Sequence, residues 1–278
     1  MGSTVKSILR WAGSKRSLLP TVDSLYEFSR SRRYVEPFCG SAVLPLNIQP
    51  TNALISDINE KLINFFREFR RDPDYYYDRL NVMPASEDFY YRIRSAQGSR
   101  HSNKTEALHF LYLNRYCFNG IYRTSKAGHF NVPYGNSRLG ALPPRSFYYE
   151  CAEFLRRTDI IHDQYDNVVS RHLRAGDFVY LDPPYSSENQ RIFHQYDPTT
   201  FGRHDLDRLA EVLDEIDDAD ASFVLSYADV PEVDFIKRRW GYKIINVRRS
   251  IAGNHLARKK VQEVLITNVG IDAITATK

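Results

Sequence analysis

Cysteine is scarce: Cys39, Cys117 and Cys151 are the only three in 278 residues. They lie far apart and form no CxxC pair, which argues against a zinc site or a disulfide framework and fits a reducing compartment. Long apolar runs are missing as well. No stretch approaches the roughly 20 residues that span a bilayer, and the opening MGSTVKSILRW has no apolar signal core. Its Met-Gly start lacks the Ser or Thr that a myristoylation motif requires where Lys6 stands. Internal repeats and low-complexity segments are absent too. The expectation is a soluble, cytoplasmic protein, with no membrane anchor and no metal.

What is present suffices for one large domain, or a large domain carrying a smaller one: 42% of residues are hydrophobic and 26% charged. A chain of this length buries about three quarters of its unfolded surface and needs no staple. The net charge of +4 permits a polyanionic partner without proving one.

Short apolar strands alternate with helices. YVEPFCGSAVLPLNI (34–48) reads as strand, glycine turn and helix start; NALISDIN (52–59) as a second strand, followed by the helix EKLINFFREFRR. The rhythm breaks over 72–150, which is rich in Tyr, Arg and polar residues with helical stretches such as SEDFYYRIRSA. It resumes with TDIIHDQY, DFVYLD, the helix HDLDRLAEVLDEI, and the strand ASFVLSYAD. YKIINVRRSI and KVQEVLITNV read as two further strands. This pattern predicts a parallel sheet in an α/β layer fold, interrupted by an inserted domain.

In open parallel sheets ligands bind outside the carboxyl ends of the strands. Glu36, Asp57, Asp163 and Asp182 fall at such ends. Any one of them has a plainer reading, a cap on the next helix; four on successive strands point to a shared crevice. Asp57 follows Glu36 by 21 positions, near the spacing of about 20 at which an acid grips ribose hydroxyls. The first turn holds only Gly40, flanked by Ser41 and Ala42. A pyrophosphate needs several glycines there, so a nucleoside cofactor without phosphates fits better than a dinucleotide.

GDFVYLDPPYSS (176–187) adds a strand that ends in an acid followed by two prolines. Pro183 and Pro184 fix φ and remove two N–H donors, so the chain leaves the strand with free carbonyls. RWAGSK (10–15), EPFCGSA (36–42), SDIN (56–59), LNRYCFNGIYR (113–123), GHFNVPYG (128–135), DPPY (182–185) and RRSIAGNHLARKKVQEVL (248–265) stand in the order seen in the Dam-like DNA adenine N6-methyltransferases, the D12 class, alpha group. The chain resembles that family from about residue 8 to 267.

The resemblance implies a Rossmann-like, S-adenosylmethionine-dependent methyltransferase sheet with an inserted, mainly helical target-recognition domain containing a β-hairpin. It divides the chain into a cofactor-binding half (1–68), a recognition domain (69–150) and a catalytic half (151–278). Asp182 and the Pro183 carbonyl would accept the two N6 hydrogens of an adenine flipped from duplex DNA; Pro184 stiffens the loop and Tyr185 stacks on the base. Trp11, Ala12, Gly13 and Lys15 belong to the cofactor motif, with Lys15 expected to pair with the methionine carboxylate. Glu36, Pro37, Phe38, Gly40 and Ser41 line the first turn, and Asp57 and Ile58 meet the ribose. Asp163, Gln164 and Tyr165 are expected around the adenine ring of the cofactor.

For DNA, the resemblance places Phe118 and Asn119 at the opened base pair. Ile121, Arg123 and Pro133 lie where outer bases are read, with Lys126 and Asn131 in the same segment. Arg10, in place of the family's usual lysine, contacts an outer base. Apart from the resemblance, Arg258 and Lys259 read as expected phosphate contacts, with a solvated basic face as the plainer reading. The expected target is GATC, the site of the namesake enzymes, or a related sequence; Ser14, which replaces a glycine, and Asn136 and Ser137, which replace a basic-aromatic pair, depart from the family pattern and leave open which of the two it is. Three alternatives remain at this level: cytosine N4 as acceptor, adenine in RNA, or a catalytically silent DNA-binding regulator. Any restriction endonuclease partner is expected on a separate chain, and the protein is expected to be a monomer.

Overall fold

Alternation along the strands builds the sheet. β1 (Arg33–Glu36), β2 (Ala53–Asp57), β3 (Thr158–His162), β4 (Asp177–Leu181), β5 (Ser222–Ala228), β6 (Gly241–Arg248) and β7 (Lys260–Thr267) form one seven-stranded sheet in the order β3-β2-β1-β4-β5-β7-β6. The computed structural model describes residues 7–11, 13–125, 128–135, 142–185, 202–248 and 260–270. Tyr34, Ile55, Phe178, Tyr180, Val224 and Leu265 pack on one face; Val35, Leu54, Val179, Leu181, Leu225 and Ile266 pack on the other. The period of two is what a strand buried on both faces requires.

The first five strands are mutually parallel, as expected. β7 departs from that expectation: it inserts antiparallel between β5 and β6. The reason is connection length. Eleven residues, 249–259, separate β6 from β7, too few for the helical crossover a parallel pair needs. The strand order and layering are those of a Rossmann-like methyltransferase sheet.

Helices cover both faces. α1 (Leu19–Ser29), α2 (Val43–Ile48) and α3 (Glu60–Phe69) lie on the Tyr34 face. The interrupting segment supplies α4 (Pro73–Val82), α5 (Glu87–Ser95), α6 (Asn103–Tyr116) and α7 (Arg145–Arg156). α8 (Tyr165–His172) and α9 (Arg203–Asp218) cover the Val35 face. Four consecutive helices, α3 to α6, start at a side-chain cap: Asn59, Asp72, Ser86 and Ser102 each accept an N–H from the first turn. Those caps explain why a polar, Tyr-rich stretch is helical.

The interrupting helices have no separate core. Phe65, Phe66 and Phe69 of α3 share one cluster with Tyr76, Tyr90, Leu111, Tyr112, Tyr148 and Phe154. Its tyrosines are tolerable because their hydroxyls find backbone acceptors: Tyr90 donates to Val132 O at 2.9 Å and Tyr112 to Pro84 O at 2.6 Å. The expected hairpin is a loop over residues 117–134 held by two antiparallel bridges, Cys117 with Tyr134 and Thr124 with Phe130, without regular strands among the described residues. No helix among the described residues is long and apolar enough to cross a membrane.

Candidate active site

Strand parity sets the polar groups of the crevice. Glu36 follows Tyr34 by two, Asp57 follows Ile55, Asp182 follows Tyr180 and Ser226 follows Val224, while Glu263 precedes Leu265 by two. All five therefore belong to the face that the interrupting helices and α1–α3 share. Glu36, Asp57, Asp163 and Asp182 stand at or just beyond the carboxyl ends of β1, β2, β3 and β4, which are neighbours in the sheet.

The first turn is tight. Gly40 has φ +46° and Ala42 φ +50°, so two left-handed residues reverse the chain between β1 and α2. The Gly40 N–H donates to Asp57 Oδ2 at 3.0 Å, and the Asn59 N–H to Oδ1 at 2.9 Å. Asp57 thus ties the turn through Oδ2 to its own loop, held through Oδ1, each oxygen keeping a further lone pair. Burial raises its pKa, and these N–H groups pull the other way. Trp11 lies over the turn and stacks on Tyr122 with ring centroids 5.5 Å apart. Ser41 and Pro37 are buried, Gly13 is exposed, and the Ser14 hydroxyl is buried with no partner among the described residues.

Glu36 is enclosed completely, its carboxylate accepting the Tyr34 hydroxyl at 2.9 Å. Burial pushes its carboxyl well above the usual range, and the negative fields of Asp182 and Asp57 push it further.

Asp182 is held from the neighbouring strand and from the N-terminal segment. Its Oδ1 accepts the Ser226 hydroxyl at 3.0 Å and lies 3.2 Å from the Lys15 ammonium. The side chain remains 22% exposed, so the carboxylate reaches the crevice. Burial raises its pKa and Lys15 draws it down. Behind it, Ser226 also pairs with the Tyr180 hydroxyl at 2.9 Å. Pro183 is buried and Pro184 exposed. Tyr185 packs edge-on against Tyr227, ring centroids 4.9 Å apart.

The Lys15 ammonium is surrounded by this chain's own groups: Asp182, the Tyr185 hydroxyl, and Glu263, whose two oxygens lie 3.3 and 3.4 Å away. Three acceptors match its three N–H bonds. Ser226 and Glu263 were not anticipated. The signal for Glu263 was an acid inside the apolar run KVQEVLIT, where a buried charge needs a partner.

At the far end of the crevice Asp163 is engaged by its own neighbours. Its Oδ1 accepts Gln164 N at 2.8 Å and Asn167 Nδ2 at 2.9 Å, and its Oδ2 pairs with Arg171 at 3.1 Å. These bonds hold its pKa below the usual value, but none of them caps α8, whose N-cap residue is Gln164. Tyr165 stacks on Phe38 with centroids 4.9 Å apart; Gln164 and Ile58 are exposed.

The loop from the interrupting segment approaches the same crevice. Phe118 and Asn119 are exposed, Asn119 in a left-handed conformation. Ile121 packs against the helical core, and the Pro133 carbonyl accepts Phe118 N–H at 2.9 Å. Arg123 is not an unengaged fork: Nε donates to Asn131 Oδ1 at 2.6 Å. Arg10 lies against the loop, for a Cβ on Gly120 would stand 2.5 Å from its own Cβ. Asn114, buried in α6 and also unanticipated, accepts Arg10 N–H at 2.9 Å and donates to Arg10 O at 2.7 Å. Ala12, Lys126, Arg258 and Lys259 lie outside the described residues. Among the described residues, no group of three or more His, Cys, Asp or Glu side chains is arranged to hold a metal.

Comparison with known proteins agrees with this layout. Residues 11–251 match the D12 class N6 adenine-specific DNA methyltransferase family. The chain is 27% identical over 275 residues to the type II methyltransferase M1.LlaDCHI of Lactococcus lactis subsp. cremoris, covering 96% of each chain. It is 29% identical to the retron Ec67 DNA adenine methylase of Escherichia coli, covering 94% of this chain and 90% of that one. It is also 29% identical to a DNA adenine methylase of Vibrio cholerae serotype O1, covering 94% and 95%. With the DPPY acid at the end of β4 and a matching family across most of its length, the chain belongs to the D12 class adenine-specific DNA methyltransferases.

Proposed function

We propose that the crevice binds S-adenosylmethionine beside an adenine flipped out of duplex DNA, and that Asp182 with the Pro183 carbonyl activates the adenine N6. The carrying observation is the loading of Asp182. Among the described residues, both partners of this carboxylate, Ser226 and Lys15, meet Oδ1; Oδ2 is left to accept from a substrate amine.

The donor set fits the cofactor. S-adenosylmethionine supplies an electrophilic methyl on a sulfonium, whose sulfur keeps the bonding pair when the methyl leaves. Asp57 and Asp182 bring negative charge to the crevice, and their fields reach Glu36; a ligand with a positive sulfonium and ammonium complements them. Asp57 has lone pairs for ribose hydroxyls, Phe38 and Ile58 offer apolar surface for an adenine ring, and the Ser14 hydroxyl lacks a partner.

The adenine amine is a weak nucleophile because its lone pair is delocalised into the ring. Asp182 Oδ2 accepts one N6–H and the Pro183 carbonyl the other. The nitrogen becomes more tetrahedral and its lone pair turns toward the methyl. As the N–C bond forms, the nitrogen gains positive charge, which the carboxylate stabilises before the proton departs. Tyr185, braced by Tyr227, packs against the base. Phe118 and Asn119 fill the opened pair, and Arg10, Arg123 and Asn131 read or position outer bases.

The test is nucleoside mass analysis of DNA from a methylation-free host expressing the chain, alongside Asp182→Asn. N6-methyladenine is expected with the native chain and a loss of about a hundredfold or more in rate with the variant. N4-methylcytosine as the product, or full activity in Asp182→Asn, would overturn the reading. Calorimetry with S-adenosylmethionine separates cofactor binding from chemistry, and sequencing that detects modified bases gives the recognition site.

A further inference from the structure

We propose that Glu263 of β7 is a positioning residue for methyl transfer: by sharing the Lys15 ammonium with Asp182, it leaves the trio with one net negative charge, presented at Asp182 Oδ2. The role rests on the reading of Asp182 given above.

The geometry is a carboxylate–ammonium–carboxylate bridge. Lys15 Nζ lies 3.2 Å from Asp182 Oδ1 and 3.3 Å from Glu263 Oε1. Lys15 and Glu263 are nearly inaccessible, at 8% and 1% side-chain exposure, whereas Asp182 reaches the crevice. One ammonium cannot neutralise both acids. If Lys15 faced Asp182 alone, the pair would be neutral and the carboxylate a poorer acceptor for an amine hydrogen. Glu263 draws part of that ammonium's field away, and the surplus charge appears on the one acid open to substrate.

The surroundings reinforce this. Glu36 of β1, itself pushed toward its neutral form by burial, faces Asp182, as does the Tyr180 hydroxyl of β4 through Ser226 of β5. The Tyr185 hydroxyl takes the third N–H of Lys15. Among the described residues named here Lys15 is the cation, so the division of its field between two acids bears on how basic Asp182 is.

The experiment is a carbon-13 NMR titration of the Asp182 carboxyl in the full chain without ligands, its resonance assigned by loss in Asp182→Asn. In Glu263→Gln the Asp182 titration is expected to fall by about one pH unit, because Lys15 then serves it alone. Glu263→Asp should stay near wild type. Single-turnover methylation by Glu263→Gln should drop about tenfold or more with S-adenosylmethionine affinity unchanged. An unmoved Asp182 titration in Glu263→Gln overturns the proposal; so does a shift accompanied by weaker cofactor binding at unchanged rate. If Glu263→Gln does not fold, Lys15→Met must raise the titration, and an unchanged value there overturns the proposal as well. Activity retained in Asp182→Asn would instead remove the catalytic reading while leaving the titration result intact.

Discussion

The indole of Trp11 occupies the space that a side chain on Gly40 would need: a Cβ built there stands 2.9 Å from Nε1. Gly40 also has φ +46°, where an L side chain costs about 1 kcal/mol. Gly40→Ala is therefore expected to displace Trp11 and reduce S-adenosylmethionine affinity about tenfold. Calorimetry and the near-ultraviolet signal of Trp11 check this; unchanged affinity would detach the turn from the cofactor.

The acid limb of the methylation rate should lie above the ordinary aspartate value of about 3.9. Burial raises the Asp182 pKa, and Lys15 offsets it only in part. The carboxylate is the active form, so rate is lost as pH falls through that raised value. A limb at or below the ordinary value would mean that another group accepts the hydrogen.

Glu36 makes stability depend on pH in the opposite sense to a salt-bridged acid. Its folded pKa is raised well above the unfolded value, chiefly by burial. Folding takes up a proton, so stability falls as pH rises from the unfolded value toward the folded one, by about 1.4 kcal/mol per pH unit. Below the unfolded value there is no contribution. Glu36→Gln should flatten this slope, gaining on wild type as pH rises above the unfolded glutamate value of about 4.3. Parallel melting curves across that range would count against a neutral Glu36.

At the opposite end of the sheet Arg33 and Asp177 are register partners on β1 and β4, joined by two bonds of 3.0 and 2.6 Å. Both are buried. Arg33→Ala leaves the buried Asp177 with the Arg174 N–H at 2.9 Å but without its guanidinium partner, and should cost about 3–5 kcal/mol in denaturant unfolding. The site lies at the other strand ends, so cofactor affinity in the folded fraction should hold.

Arg123 is aimed by Asn131, whose Oδ1 receives its Nε. If Arg123 reads a base, Arg123→Ala should relax discrimination at one position by about 1–3 kcal/mol. Asn131→Ala should reproduce part of that loss without changing the salt slope. Methylation rates on duplexes with single-base changes, at two salt concentrations, decide it. A uniform loss across sequences would make Arg123 a phosphate contact.

The strands were legible because alternation and short apolar runs are local. DPPY was legible because proline chemistry is local too. What escaped the sequence was long range. Lys15 meets Glu263 across 248 residues and Arg10 meets Asn114 across 104, and no local signal announces either pairing. Asp163 shows a different limit: an acid at a strand end has the same local appearance whatever it engages, and its bonds to Gln164, Asn167 and Arg171 are seen only in the fold.

The two hydrogen bonds between the Asn114 side chain and the Arg10 main chain have a practical consequence for redesign. Within five residues the chain passes from Arg10 through Trp11 to Lys15, touching first the recognition loop, then the glycine turn, then the acid of DPPY. The helices around that loop also share their aromatic core with α3. Residues 69–150 are therefore not an exchangeable cassette. A chimera taking this stretch from a relative would need that relative's first fifteen residues and the buried face of its α3, or its new specificity would arrive with a misaligned catalytic lysine.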